Sequence, residues 1–147
     1  MGSSESVAEL PGWAARLLEA SRVGRLGIVD DDGAARVLPV VFAVCGAALV
    51  SAVDHKPKRR PGQELARVRW LRARPQAALT VDHYDDDWSE LAWVQALGRV
   101  RVLEASSAPA AVEALIARYP QYREQPPPGP VIELTPDRLL WWRAAGA

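Results

Sequence analysis

The sequence is poor in several residue types that mark whole classes of protein. It contains one cysteine, Cys45, so no internal disulfide can form, and a disulfide-stapled secreted scaffold is excluded. It contains two histidines, His55 and His83, and neither sits in an HxH, HExxH or CxxC context, so no metal site is expected. An excess of charge of one sign is also missing. Eighteen Lys and Arg balance eighteen Asp and Glu, which excludes a polycation built to coat nucleic acid, and no RNP or helix-turn-helix pattern appears. No apolar run reaches the roughly 18 residues of a membrane-spanning helix. Met1 to Glu9 carry acids and no apolar stretch, unlike a secretory signal, so a reducing cytoplasm is the expected location. There is no GxGxxG, no GxxxxGKS and no GxSxG elbow. A doubly wound nucleotide fold therefore lacks its fingerprint, and so does a hydrolytic pairing of Ser51 with His55.

What is present is the composition of one globular domain: 147 residues, 49% apolar and 24% charged. Leu10, Trp13, Ala14 and Leu17 share one side of a helix over residues 10–22. The period then changes to two. Strands are predicted over residues 24–30, 36–44 and 47–53, joined by the Asp30-Asp31-Asp32-Gly33 and Cys45-Gly46 turns. Pro39 has no N–H to donate and marks an edge or a bulge. Residues 64–74 form a short helix before Pro75, and 76–82 a fourth strand. Residues 91–104 form a long strand bent at Gly98, and 107–119 a helix with Ser106 or Ser107 as its cap. Pro126 to Pro130 is a stiff connector, followed by strands over 131–134 and 139–143. Consecutive hairpins with helices set between them predict a mainly β, six-stranded antiparallel barrel in a single domain spanning residues 1–147.

Charge and aromatic residues are unevenly placed. Between Asp54 and Arg74, eight Lys and Arg face two acids; between Asp82 and Glu90, five acids face no Lys or Arg. The run Asp54-His55-Lys56-Pro57-Lys58-Arg59 follows a buried strand directly. It combines fixed cations with a stiffening proline, a natural seat for an anion. The arginines of 67–74 are equally well read as a solvated helix face. Six tryptophans are many for this length; Trp88 and Trp93, beside the acidic connection, either stack on a planar ligand or fill a core or subunit seam. Cys45 reads as a packed thiol.

Taken in order, GRLGIVD (24–30), RVLPVVFAV (36–44), SAVDHKPKR (51–59), LRARP (71–75), LTVDHYDDDW (79–88) and AWVQALGRVRVL (92–103) resemble the pyridoxamine 5′-phosphate oxidase-like split β-barrels. Within them, the sequence is similar to the deazaflavin (F420)-dependent oxidoreductases. The resemblance implies a homodimer with the cofactor in a groove between the subunits, F420 or alternatively FMN, and a small-molecule substrate. It implies that Lys56, Pro57, Lys58 and Arg59 meet the cofactor phosphate, with His55 and Ser51 in the same stretch. It places Arg36, Val37, Leu38, Pro39 and Val40 beside the ring and Val53 and Asp54 near the ribityl chain. For the polyglutamate tail of F420 it implies a cationic groove to which Arg60, Arg67, Arg69 and Arg72 contribute. Gln95 stands where a cation would be natural. A flavin, F420 or haem binder without catalysis is the other activity class that the fold allows.

Overall fold

The computed structural model describes residues 1–53 and 64–145. Eight strands form one antiparallel sheet: β1 (Gly2–Ser4), β2 (Gly24–Val29), β3 (Ala35–Val40), β4 (Ala43–Cys45), β5 (Ala48–Ala52), β6 (Gln76–His83), β7 (Ala92–Leu103) and β8 (Val131–Arg143). The order is β3-β2-β6-β7-β8-β5-β4, and β1 adds to β8 beside β5. Four helices flank it: α1 (Gly12–Ala20), α2 (Ala66–Ala73), α3 (Pro109–Arg118) and α4 (Pro120–Glu124). This is the mainly β antiparallel split-barrel architecture anticipated, with more strands than six. No helix among the described residues is long and apolar enough to cross a membrane.

Three differences from the sequence reading have physical reasons. The strand foreseen over 36–44 is two, because Val41 and Phe42 leave the ladder and bond to side chains instead. The two C-terminal strands foreseen are one. Pro136 pairs with Gly98, where the register shifts, and the missing Cβ of Gly98 admits the partner backbone. The N-terminal β1 was not foreseen, since Gly2-Ser3-Ser4 has no strand propensity; Gly2 lies against the Trp141 indole with no room for a Cβ. In addition, α3 begins on Pro109 with no side-chain cap, while Ser106 and Ser107 lie in a preceding turn.

Alternation along the strands sorts two faces. Leu26 and Ile28 of β2, Leu79 and Val81 of β6, and Val94, Ala96 and Val100 of β7 point inward. There they meet Ala14 and Leu18 of α1 and Val68 and Leu71 of α2. A second apolar cluster lies where Ala43, Val50, Ala52 and Val131 meet Ala111 and Leu115 of α3 and Tyr122 of α4. Strand β5 is thus buried on both faces. The opposite face of β2, β3, β6 and β7 carries Val37, Gly27, Ala78 and Leu97 as successive cross-strand partners. They line a shallow apolar trough of about 460 Å³, and Val37 is 67% exposed.

A Cβ at Gly98 would lie 2.0 Å from the Thr135 carbonyl oxygen, a backbone atom that cannot swing away. Gly98→Ala is therefore expected to lower stability by at least about 1–3 kcal/mol, the usual range for overpacking. Urea denaturation checks this, and an unchanged midpoint would remove the bulge from this account.

Candidate functional site

Where β3 breaks, a cavity of about 290 Å³ opens. Val23, Pro39, Val40, Val41, Ser51, Ala52, Arg67, Tyr119, Gln121 and Tyr122 line it. Buried peptide groups that leave a ladder need other partners, and the side chains around this break supply them. The buried Ser51 hydroxyl donates to the Val41 carbonyl at 2.7 Å, so its proton is committed to holding the cavity wall. The Phe42 N–H donates to the Tyr119 hydroxyl oxygen at 3.0 Å, while that hydroxyl lies 2.8 Å from the Phe42 carbonyl and 2.9 Å from the Arg22 carbonyl. One proton serves one of these two carbonyls at a time. Arg118 closes the junction. Its guanidinium donates to the Tyr119 hydroxyl and to the Ser21 carbonyl, and lies 5.2 Å from the centre of the fully buried Phe42 ring.

The arginines of α2 are sorted by their surroundings. Arg69 reaches Asp31 at 3.5 Å, Arg72 reaches Glu64 at 2.8 Å, and Arg74 donates to the Asp30 carbonyl. Of these arginines, Arg67 lines the cavity, and its Nε is buried without a hydrogen-bond partner. Asp30 itself anchors the β2–β3 turn. Its Oδ1 accepts from the N–H groups of Ala34 and Asp32, and its carboxyl is held below the ordinary range, first by the Ala34 bond, with burial opposing it and the Asp32 and Arg36 interactions adding to it.

The residues proposed from sequence are distributed unequally. Pro39, Val40 and Ser51 stand together on the cavity wall. Val53 is buried next to it, with its N–H on the Pro130 carbonyl. Leu38 packs on the main core, and Arg36 lies 4.8 Å over the Trp70 ring and 3.5 Å from Asp30, away from the cavity. Trp93 pairs across strands with Trp142 and Asp82, and Trp88 is 70% exposed on a short turn; neither lines this cavity. Asp54, His55, Lys56, Pro57, Lys58 and Arg59 lie outside the described residues, as does Arg60. Gln95, in a place where a cation was natural, donates to Thr80 at 3.1 Å. Cys45 is half-buried against the α3 cluster. No group of three or more potential metal ligands occurs among the described residues.

Sequence reasoning did not single out Tyr119, Gln121 and Tyr122. The available signal was the Tyr119-Pro120 step, since a proline forces the preceding residue out of helix and starts α4 there.

The sequence model of the pyridoxamine 5′-phosphate oxidase family matches residues 11–143. The chain belongs to this family. Solved structures agree on the split barrel at low identity. A haem-binding protein from Mycobacterium smegmatis superposes with a TM-score of 0.73 at 20% identity, covering 98% of this chain and 57% of that one. The chain thus spans little more than half the length of that neighbour. An FAD-binding protein from Mesorhizobium loti gives 0.66 at 21% identity, covering 90% and 94%. An F420 reductase gives 0.61 at 21% identity, covering 89% and 98%. No curated protein matches the chain. The ligands for which these neighbours are named differ, so the ligand of this member has to be argued from its own cavity.

Tyr119→Phe removes the acceptor of the buried Phe42 N–H and a donor to two carbonyls. The expected loss is about 1–3 kcal/mol, the cost of leaving a buried donor unpaired. It is read as a lower urea midpoint with an unchanged slope; a loss under about 0.5 kcal/mol would show that the junction is held by packing alone.

Proposed function

We propose that the chain is an F420-dependent oxidoreductase that moves a hydride between the reduced deazaflavin and an unsaturated small molecule. The observation that carries this reading is the cavity at the break of β3. It has an apolar wall of Pro39, Val40 and Val41 beside Arg67, and none of the described residues that line it is acidic. The Asp54–Gln63 segment joins Val53, next to the lining Ala52, to Glu64, one turn before Arg67. Its cations Lys56, Lys58 and Arg59 suit the phosphate of a ring cofactor. Family membership supports a flavin-type ligand, and one structural neighbour is an F420 reductase.

The donor set fits such a group. A flat ring rests against proline and valine, and the exposed Pro39 leaves the outer side of β3 open to a substrate. When bound, the deazaflavin supplies the hydride chemistry. The chain orients the ring against the β3 wall, holds the phosphate with its cations, and keeps Ser51 and Tyr119 occupied with the backbone. No carboxylate, histidine or cysteine lines the cavity among the described residues, so no general acid is assigned. The same absence favours a second reading, in which the protein holds a flavin-type ligand or a haem without turning it over.

The cavity sits at the low end of the ~300–1,000 Å³ typical of small-molecule sites, so part of a flavin-sized molecule stands outside it. A second copy of the chain supplies the rest in this reading. The uncovered trough of Val37, Gly27, Ala78 and Leu97 is the face by which two copies meet, with the indoles of Trp88, Trp93 and Trp142 toward the other end of the sheet.

Fluorescence titration should give tighter binding of F420 than of FMN, and Lys56→Ala with Lys58→Ala should weaken F420 at least about tenfold while leaving the fold intact. Unchanged binding in that variant would place the phosphate elsewhere. F420 binding without anaerobic turnover of any enone, quinone or tetrapyrrole would favour the second reading. Val37→Glu should convert a dimer into a monomer in sedimentation experiments and weaken F420 binding with it. A wild-type protein that sediments as a monomer would remove the shared site.

A further inference from the structure

The inward rows of the sheet run out at one end of the barrel. Along β6, Leu79 and Val81 lead to His83. Along β7, Val94 is preceded by Ala92, and along β8, Leu139 and Trp141 lead to Arg143. Each step is two residues, so the side chains stay on one face. His83 and Arg143 are the cross-strand partners of Ala92 and stand on either side of it, one strand spacing of about 4.8 Å away. Helix α1 packs on β6 and β7. Trp13, Arg16, Leu17 and Ala20 share one side of it, at i, i+3, i+4 and i+7. Ala20 on the helix and Ala92 on the sheet are both too small to close the gap, and a groove of about 390 Å³ remains between the two elements. Trp13, Leu17 and Leu91, all half-buried, give it apolar walls. The groove shares no described lining residue with the cavity at the β3 break, and it opens on the face opposite the trough of Val37 and Leu97.

The rim of this groove carries unspent charge. Arg143 lies over the Trp13 ring, 5.1 Å from its centre. Such stacking holds a guanidinium by its face and leaves the N–H groups along its edge free. Arg16 folds back along α1. Its Nη1 would lie 3.1 Å from a Cβ at Gly12, so the guanidinium rests over the first turn, which also carries Trp13. Unlike Arg69, Arg72 and Arg101, neither arginine has a carboxylate partner among the described residues. Glu90 is the one acid among the described lining residues, so two fixed cations outweigh a single carboxylate. We infer that this barrel mouth binds a small aromatic carboxylate. Its rings lie between the Trp13 and Leu17 side of α1 and the Leu91–Ala92 end of β7, and its carboxylate takes the edge of Arg143 with Arg16 beside it. Small-molecule sites begin at about 300 Å³ and include the mouths of barrels, so the volume suits one or two rings. A bare inorganic anion would leave the apolar walls wet, and a neutral ring would leave both guanidinium edges without a partner. Glu90 repels a second negative charge, which selects a monoanion. None of this depends on what fills the cavity at the β3 break.

Calorimetric titration of the full chain with 1-naphthoate tests this, beside naphthalene-1-carboxamide, which has the same rings and no charge. The wild type should bind the carboxylate at least about threefold more tightly than the amide, the size of a charge-assisted contact reduced by solvent screening. Arg143→Met should weaken 1-naphthoate about three- to tenfold and leave the amide unchanged, and Arg143→Lys, which keeps the charge and loses the fork, should fall between. Ala20→Leu keeps every charge and fills the groove from the exposed last residue of α1. It should weaken both probes with no fall in melting temperature. Saturating FMN should leave 1-naphthoate binding unchanged. Equal affinity for carboxylate and amide overturns the site, as does a wild type that binds neither. So does an Arg143→Met or an Ala20→Leu variant that binds 1-naphthoate like the wild type. Displacement of 1-naphthoate by FMN moves the anion into the cavity at the β3 break and overturns it as well.

Discussion

Peptide groups that leave a sheet while still buried must be satisfied by something else. In this chain the step from β3 to β4 is such a place, and its solution determines what surrounds it. Ser51 satisfies the carbonyl of Val41, and Tyr119 satisfies Phe42. These bonds tie three distant stretches of chain to one point: the end of α1, the strand β5, and the α3–α4 junction. With them in place, Val41 lies beyond the ladder and, together with Pro39 and Val40 at the end of β3, lines a void. The cavity is therefore a consequence of how the edge strand ends: Pro39, Val40, Val41, Ser51 and Ala52 form its strand side, and Arg67, Tyr119, Gln121 and Tyr122 stand across from them. A site built in this way is suited to orienting a flat molecule and offers it few groups with which to exchange protons.

Electrostatics follow from the same frame. Strand β2 ends at Val29, and the turn that Asp30 opens brings Asp31 near α2, where it meets Arg69. Asp30 keeps its carboxyl ionised through backbone donors and contributes its carbonyl to Arg74. Glu64 takes Arg72. These exposed pairs add little stability individually. Their larger consequence is subtraction: they offset charge on one side of α2, and among the described residues Arg67 is the cation that lines the cavity. Formal charge along the sequence overstates the attraction of this helix for anions, and the distribution of its partners determines which part of it counts.

Local chemistry was readable without the structure; its tertiary consequences were not. Alternation in β2, β6 and β7, the Gly33 and Gly46 turns, and the bend at Gly98 follow from side-chain period and from the freedom of glycine, which takes positive φ at both turns. Pro39 marked an edge strand for the same reason that it occupies one, its missing N–H. The last strand was read as two; it continues through Pro136 because its partner there, Gly98, yields, and Gly98 lies far away in sequence. Of the site, Pro39, Val40 and Ser51 were legible through their place in strands of a familiar order. Tyr119 and Gln121 were not, because they reach the cavity only after α3 folds back on β4 and β5. The solvated-face reading of α2 applied to Arg69 and Arg72 and not to Arg67. Only the positions of Asp31 and Glu64 in space make that distinction.

Two features of the molecule are each incomplete alone and complementary together. The cavity is small for a flavin-type molecule, and the outer face of the sheet is an apolar trough that no described helix covers. Gly27 and Ala78 keep that trough shallow, so it accepts a flat apolar surface rather than an inserted side chain. A surface of this kind is best matched by another sheet face. A second copy of the chain presents one, and the indoles near the β6–β7 hairpin would then lie toward the rim of a neighbour's cavity instead of their own. In the proposed dimer the tryptophans that miss the cavity within one chain would line a site whose second wall is contributed in trans, and the small volume enclosed by a single chain would be one half of it.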